Sequence, residues 1–328
     1  GKISRGYTEI LQQLSIEIDG YIDNDTDKWG TYFEGRKVYS PDILDQIYDF
    51  EIIIACKAED SICSQLSQIN MQNRIITINH VLRRKIESFE VEENGLKPSH
   101  KRNYENKMII MDNLDGVWGG AEDWVHKIAS SLSQRGYQVI VIENTDSQIE
   151  ESLKAFTVQF DKKDKDIHKV YVGLAKWLLE QKPFILFNIW SSELLWAASY
   201  VKKRYPERVK IISGILNDRS SIYKSQCEWD DYIDLYLCIS SRIKNNLINL
   251  YGINQKKVFY KAPFIEELRA VRRTYSLRHD IALQIGYPCR LTCIQKRTDL
   301  LPELIKYLEK LRVNYQINIA GSGPYEEE

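Results

Sequence analysis

The stretch KMIIMDNLDGVWGGAEDWVHKIASSLSQRGYQVIV, residues 107–141, decides how this chain folds. Residues 108–111 are four apolar positions in a row, the character of a buried strand. A short loop ends in Gly119 and Gly120. The helix of residues 122–134 then carries Trp124, Val125, Ile128, Ala129 and Leu132 on one face. Residues 139–142, VIVI, form the next strand. Strand, glycine turn, amphipathic helix and strand make a βαβ unit, and its two strands lie parallel. A glycine turn at a helix N-terminus exposes backbone N–H groups beside the positive end of the helix dipole, a setting that suits phosphate.

The pattern recurs near the far end, in residues 281–324, IALQIGYPCRLTCIQKRTDLLPELIKYLEKLRVNYQINIAGSGP. Here a strand at 282–285 leads through a basic loop to a helix at 299–311, a strand at 316–320 and the turn Gly321-Ser322-Gly323-Pro324. Two such units facing each other would suit a nucleotide diphosphate between two domains.

Strand-like and helical runs alternate along the rest of the chain, which predicts doubly wound parallel sheets. Residues 1–84 read as a small domain with a helix at 7–14, a strand at 16–22, the turn Asp23-Asn24-Asp25, a helix after Ser40-Pro41, and strands at 51–54 and 74–78 flanking a further helix. Residues 85–106 are polar and charged, and read as a linker. Residues 107–266 hold further strands at 184–187, 209–212 and 235–239, residues 267–279 form an arginine-rich connector, and residues 280–328 begin another domain. A sheet of two strands and one helix cannot bury both faces, and residue 1 precedes a helix where a strand would be expected. The expectation is a fragment cut inside a domain at each end.

The chain has 328 residues, enough for two or three domains. Its net charge of -1 gives no support for nucleic-acid binding. No apolar run approaches the ~20 residues that span a bilayer, and no signal segment opens the chain. Six cysteines lie scattered without C-x-x-C pairing, reading as small core residues of a cytoplasmic protein rather than a zinc site or disulfide framework.

The candidate residues each have a plainer reading. Gly119 and Gly120, with Glu122 in the first helical turn, suit phosphate or sugar, or a turn required by sterics alone. Arg290 and Lys296 follow a strand at the carboxyl edge, where ligands bind parallel sheets, and suit phosphate oxygens or a solvated basic loop. Ser322 and Gly323 can present N–H groups or merely turn the chain. Asp23 stands about 20 residues after Gly1, the spacing at which an acidic side chain meets a ribose hydroxyl, and also belongs to a good turn sequence. The histidines form no metal-binding cluster, and His126 reads as structural. Most tryptophans read as core, with Trp190, after a strand, a candidate cleft residue. Lys202, Lys203, Arg204 and Arg208 would meet anionic headgroups or simply solvent.

From residue 107 onward the chain resembles the retaining GT-B glycosyltransferases of family four. GGAEDWVHKIASSLSQRGYQVIVI resembles that family's first βαβ unit. LYLCISSRIKNNLINLYGINQKKVFYKAPFI resembles the end of its N-terminal domain, with Ser240 at the usual serine and Pro263 near the crossover. GYPCRLTCIQKRTDLL resembles the G-R-L-x-x-x-K-G-x-x-L-L segment that opens the donor domain, and IAGSGPYEEE resembles its G-x-G-P turn. The resemblance implies GT-B architecture with an incomplete C-terminal domain, transfer of a sugar from a UDP- or GDP-linked donor to a glycan or lipid-linked acceptor with retention, and no cofactor or essential metal. It implies bacterial polysaccharide biosynthesis in the cytoplasm, with peripheral membrane association a further expectation. Arg290 and Lys296 would hold the donor diphosphate and act in catalysis, Gly119 and Gly120 would approach the reacting sugar or phosphate, and Gly323 would border the donor pocket.

The sequence differs from that family at three places. Arg290 and Lys296 stand one residue farther apart than is common, and Cys289 replaces the usual glycine before the arginine. SGILNDRSS occupies the region of a frequent histidine, leaving Asn217 or Asp218 nearby. The acidic E-x7-E motif is expected beyond Glu328, and the chain as given is expected to be inactive without it. Residues 1–84 resemble the small Rossmann-like domain fronting several bacterial sugar acyltransferases and methyltransferases, which implies nucleotide binding or a docking role. A non-catalytic nucleotide-sugar-binding or scaffold protein on the same folds is the alternative reading.

Overall fold

The structure is a computed structural model. It describes residues 2–56, 59–85, 108–113, 120–144, 157–160, 167–189, 191–262, 282–292 and 296–323. The chain divides into two compact units, Gly1–Phe264 and Ile265–Glu328.

Unit 1 begins with α1 (Lys2–Gln13), β1 (Tyr21–Ile22), β2 (Tyr32–Phe33), β3 (Arg36–Tyr39), β4 (Ile52–Ile53), α2 (Glu59–Gln68), β5 (Ile75–Ile76) and α3 (Ile78–Lys85). It continues with β6 (Met108–Asn113), α4 (Gly120–Gln134), β7 (Gln138–Asn144), β8 (Thr157–Phe160), α5 (Ile167–Glu180), β9 (Phe184–Asn188), α6 (Ser192–Arg204), β10 (Val209–Ile215), α7 (Ser220–Cys227), β11 (Leu235–Cys238), α8 (Ser241–Asn249) and β12 (Val258–Tyr260). Strands β6 to β12 form one seven-stranded sheet, ordered β12-β11-β10-β9-β6-β7-β8, with every neighbouring pair parallel. The predicted doubly wound α/β class is the observed one.

The sequence marks five of these seven strands. The other two, β8 and β12, are the edges of the sheet. An edge strand buries little, so it carries a weak apolar signal: Phe259 and Tyr260 of β12 are half exposed.

The central strands are mostly apolar because both faces are covered. Ile110, Leu186, Ile211 and Tyr236 point into one core with α5, α6 and α8, while Ile109, Met111, Val139, Val141 and Phe187 point into a second core under α4. Val125 and Ala129 of α4 pack there, with Trp124, Ile128 and Leu132 partly buried beside them, the face that the sequence periodicity marks.

The front segment packs into the larger core. Leu11, Leu14, Val81 and Leu82 belong to it, and the fully buried Trp196 of α6 donates its Nε1–H to the Leu82 carbonyl at 3.3 Å. Beside them, Thr77 donates its hydroxyl to Glu228, and Arg83 reaches the Glu228 carbonyl and the Asp231 carboxylate. Burial pushes the Glu228 carboxyl above its ordinary value. The small strands of this segment form only a three-stranded sheet, β1-β3-β2, and the pair β4-β5.

Two sequence expectations shrink here. The predicted strand at 16–22 is paired only at Tyr21 and Ile22, because Ile16 and Ile18 pack against the main core instead of a neighbouring strand. The helix expected after Ser40-Pro41 is a 3-10 turn, Pro41–Asp45, and Asp49 at φ 55 reverses the chain soon after it.

The basic residues that end α6 and follow it do not share an outward face. Lys202 donates to the Tyr232 carbonyl and pairs with Asp234, while Arg208 donates to the Leu179 and Gln181 carbonyls. Arg204 stacks over Tyr200 at 3.7 Å.

Unit 2 contains β13 (Leu283–Pro288), α9 (Leu301–Lys310) and β14 (Tyr315–Ala320), with β13 and β14 parallel and in register from Leu283↔Tyr315 to Pro288↔Ala320. Leu283 and Ile319 remain about half exposed. No described helix is long and apolar enough to cross a membrane.

Leu82→Ala removes a side chain with 1% exposure from the junction of front segment and sheet, and is expected to cost about 3 kcal/mol in urea unfolding. A loss typical of a surface position would show that the front segment is not part of this core.

Asp234 supplies a pH dependence. Burial alone would raise its carboxyl, but hydrogen bonds from Lys202 and the Ile211 amide bring it net below its ordinary value of 3.8. The folded state therefore holds this proton less tightly than the unfolded chain. Its stabilisation is complete above that ordinary value and is lost as pH falls through the lower folded one. Asp234→Asn is expected to cost about 2 kcal/mol at neutral pH and to flatten the acid limb of the stability profile. An acid limb as steep as in wild type would contradict this.

Candidate functional site

In a doubly wound sheet the ligand crevice opens at the carboxyl ends of the strands, where chain order reverses. Here that place lies between β6 and β9, since β7 and β8 continue to one side of β6 and β9 to β12 to the other. A row of buried polar side chains ends these strands. Met111 pairs with Phe187, so Asp112 and Asn188 follow side by side, and Asn188 pairs with Ser213 of β10. All three have no solvent exposure.

Asp112 is the anchor of this edge. Its Oδ2 accepts the backbone N–H of Ile189 at 3.0 Å and of Ser191 at 2.8 Å, both in the segment that leads from β9 into α6. Ser191 then caps α6, its Oγ accepting the Leu194 N–H at 3.0 Å. Ser213 donates to Gln226 Oε1 at 2.8 Å. Among the described residues the Asn188 amide has neither donor nor acceptor satisfied, an arrangement that ordered water or a ligand group normally completes. On the opposite face, His126 of α4 places Nε2 3.2 Å from Glu143 Oε1 at the end of β7, both buried. Among the described residues no group of three His, Cys, Asp or Glu could hold a metal ion.

The sequence candidates of unit 1 fall in several places. Gly120 opens α4, and a Cβ there would meet nothing within 4 Å, so packing does not demand a glycine. Glu122 lies in the first turn of α4. Gly1, Gly119 and Trp190 lie outside the described residues, as do residues 86–107, 263–281 and Pro324. Asn217 and Asp218 follow β10. Asn217 is half buried, and Asp218 accepts from Arg242 at 2.6 Å, the Tyr223 hydroxyl at 2.8 Å and Asn246 at 3.0 Å, which ties this loop to α7 and α8. Ser240 caps α8 by accepting the Ile243 N–H at 3.1 Å. Asp23 is held within its own turn by the Asp25 amide at 2.9 Å and Lys28 at 3.0 Å.

In unit 2 two segments distant in sequence close on each other. Arg290 follows β13, and the adjoining Leu291 N–H donates to the Ser322 carbonyl, beyond β14, at 3.0 Å. A Cβ on Gly323 would lie 2.4 Å from the Leu291 carbonyl oxygen, and one on Gly321, at φ +152, only 1.9 Å from that of Cys289. Only glycines permit this approach. It gathers Arg290, Ser322 and Gly323 at the carboxyl end of one parallel pair, with the Arg290 and Lys296 side chains exposed. The Thr292 carbonyl accepts from the Lys296 and Thr298 amides at 3.2 and 3.4 Å, and Tyr287 donates its hydroxyl to the Lys296 carbonyl. Arg297 sits at φ 54 and pairs with Asp299 at 2.9 Å.

Asp112, Asn188, Glu143, Tyr287 and Thr292 are not marked by the sequence reading. The available signal for the first three is a polar residue ending an otherwise apolar strand, as in MIIMDN and FILFN. Nothing comparable distinguishes Tyr287 or Thr292, whose roles depend on how the loop closes.

Residues 1–77 match the family model described as C2185-like, N-terminal. The chain is similar in structure to a glycosyltransferase from Rickettsia africae ESF-5, at 15% identity and a TM-score of 0.45, over 67% of this chain and 69% of that one. It is also similar to the catalytic domain of starch synthase IV from Arabidopsis thaliana, solved with ADP and acarbose, at 12% identity, a TM-score of 0.43 and the same coverage. No curated protein matches the sequence. Likenesses this weak carry no functional argument.

Gly321→Ala and Gly323→Ala are each expected to destabilise the β13–β14 edge by roughly 1–3 kcal/mol, read as faster hydrogen exchange at the Leu291 amide. Unchanged exchange in both variants would mean that the two turns do not touch.

Proposed function

We propose that this protein is a glycosyltransferase that moves a sugar from a UDP- or GDP-linked donor to a glycan or lipid-linked acceptor, with retention, in bacterial polysaccharide biosynthesis. The observation that carries the reading is the closure of the Arg290 loop on the Ser322-Gly323 turn. The backbone at Arg290 and Leu291 lies against that turn at the carboxyl edge of a parallel pair, an edge where ligands bind such sheets, and this supports the reading. The four sequence segments that resemble family four, in order, support it.

In this reading Arg290 forks onto the donor diphosphate and Lys296 adds a point charge. As the bond from the sugar to the diphosphate breaks, its electron pair leaves with the phosphate oxygen, and both cations stabilise the charge that develops. Gly120, with Gly119, meets the reacting sugar or phosphate. In this reading the protein works in the cytoplasm, at the anionic inner face of the membrane.

The test is a donor screen with the full-length protein, following UDP or GDP release from a panel of nucleotide sugars. Turnover with one donor, lowered about 10²- to 10³-fold by Arg290→Ala and by Lys296→Ala, is the expected result. Nucleotide binding without turnover on any donor would favour a non-catalytic sugar-nucleotide-binding protein.

A further inference from the structure

A cavity of about 320 Å³ lies within unit 1, where the front segment meets the helices beside the sheet. This is the lower end of the ~300–1,000 Å³ range of small-molecule sites. Tyr7 and Ile10 of α1 and Asn79 of α3 form one side, and Tyr171, Glu193 and Gln226 form the other.

Its polar groups are incompletely satisfied in a complementary way. Asn79 is more than nine-tenths buried, its Oδ1 has no partner, and its Nδ2 reaches the Ser225 carbonyl only at 3.4 Å. Gln226 gives its Oε1 to Ser213, leaving Nε2 without a protein partner among the described residues. One unfilled acceptor and one unfilled donor suit a group that both donates and accepts, which is a hydroxyl. Glu193 adds a carboxylate that already accepts from the Ser191 hydroxyl at 3.0 Å, and it stands in the first turn of α6. Among the described residues no lysine or arginine lines the cavity, so a phosphate there would meet the Glu193 carboxylate and no cation from them. Two tyrosine rings and aliphatic side chains supply surface for the apolar face of a ring.

We propose that this cavity binds one neutral sugar ring or a polyol of that size, held by Asn79 and Gln226. The site needs α1 and α3 as much as the sheet domain, which gives the front segment a share in ligand recognition. The inference stands on unit 1 alone, so a failed donor screen leaves it intact and failed sugar binding leaves the Arg290 site intact.

The test is saturation-transfer NMR on the whole protein with methyl α-glucoside, methyl α-galactoside, methyl α-mannoside and methyl N-acetyl-α-glucosaminide, with choline as a cationic control. Binding of at least one glycoside is expected, weakened about tenfold by Asn79→Ala and abolished by Ile10→Trp, which fills the cavity from α1. Circular dichroism checks that both variants fold. Absence of binding by every glycoside, equal binding to wild type and Ile10→Trp, or binding of choline alone would each overturn the proposal.

Discussion

A carboxylate with no solvent exposure at the end of a central strand is costly unless its oxygens are met. Asp112 resolves this by accepting two backbone amides from the neighbouring β9–α6 connection. That single oxygen fixes where β9 ends and where α6 starts. Ser191 can then cap the helix, and Ser192 and Glu193 are set along the wall of the cavity. The switch point of the sheet is thereby a built edge, with its backbone direction determined from beneath.

The second organising contact is the docking of α3 onto α6 and the segment after α7. Trp196, Arg83 and Thr77 all commit hydrogen bonds across this junction, and Leu82 is sealed beneath it. Residues that read as a separate small domain thus contribute to the main core. Their own strands are short, and Ile53 of β4 and Ile76 of β5 pack against the larger core. In unit 2 the governing contact is different: backbone against backbone at Gly321 and Gly323, which is what holds Arg290 beside the turn.

Much of this was legible in the sequence because the central strands, buried on both faces, are short, mostly apolar runs with β-branched residues, bounded by turn residues. The α4 stripe at Trp124, Val125, Ile128, Ala129 and Leu132 was legible by its helical periodicity. Edge strand β12 was not, since its half-exposed Phe259 and Tyr260 leave no pattern, and β8, the other edge, was not marked either. The glycines at 321 and 323 could be seen, but not the carbonyls that exclude a side chain there. Asp112 and Asn188 escaped notice because their importance lies in a lateral register that exists only once β6 and β9 are neighbours. The partners of Lys202 were not legible, because its pair with Asp234 forms only once the residue before β11 meets the end of α6.

The most direct test of the Asp112 anchor is amide hydrogen exchange at Ile189 and Ser191 in wild type and Asp112→Ala. Protection of both amides in wild type, falling at least tenfold in the variant while β10 and β11 remain protected, is the expected result. Equal exchange in the two proteins would mean that Asp112 does not hold this edge, and the pre-built crevice at the β6–β9 switch point would have to be abandoned.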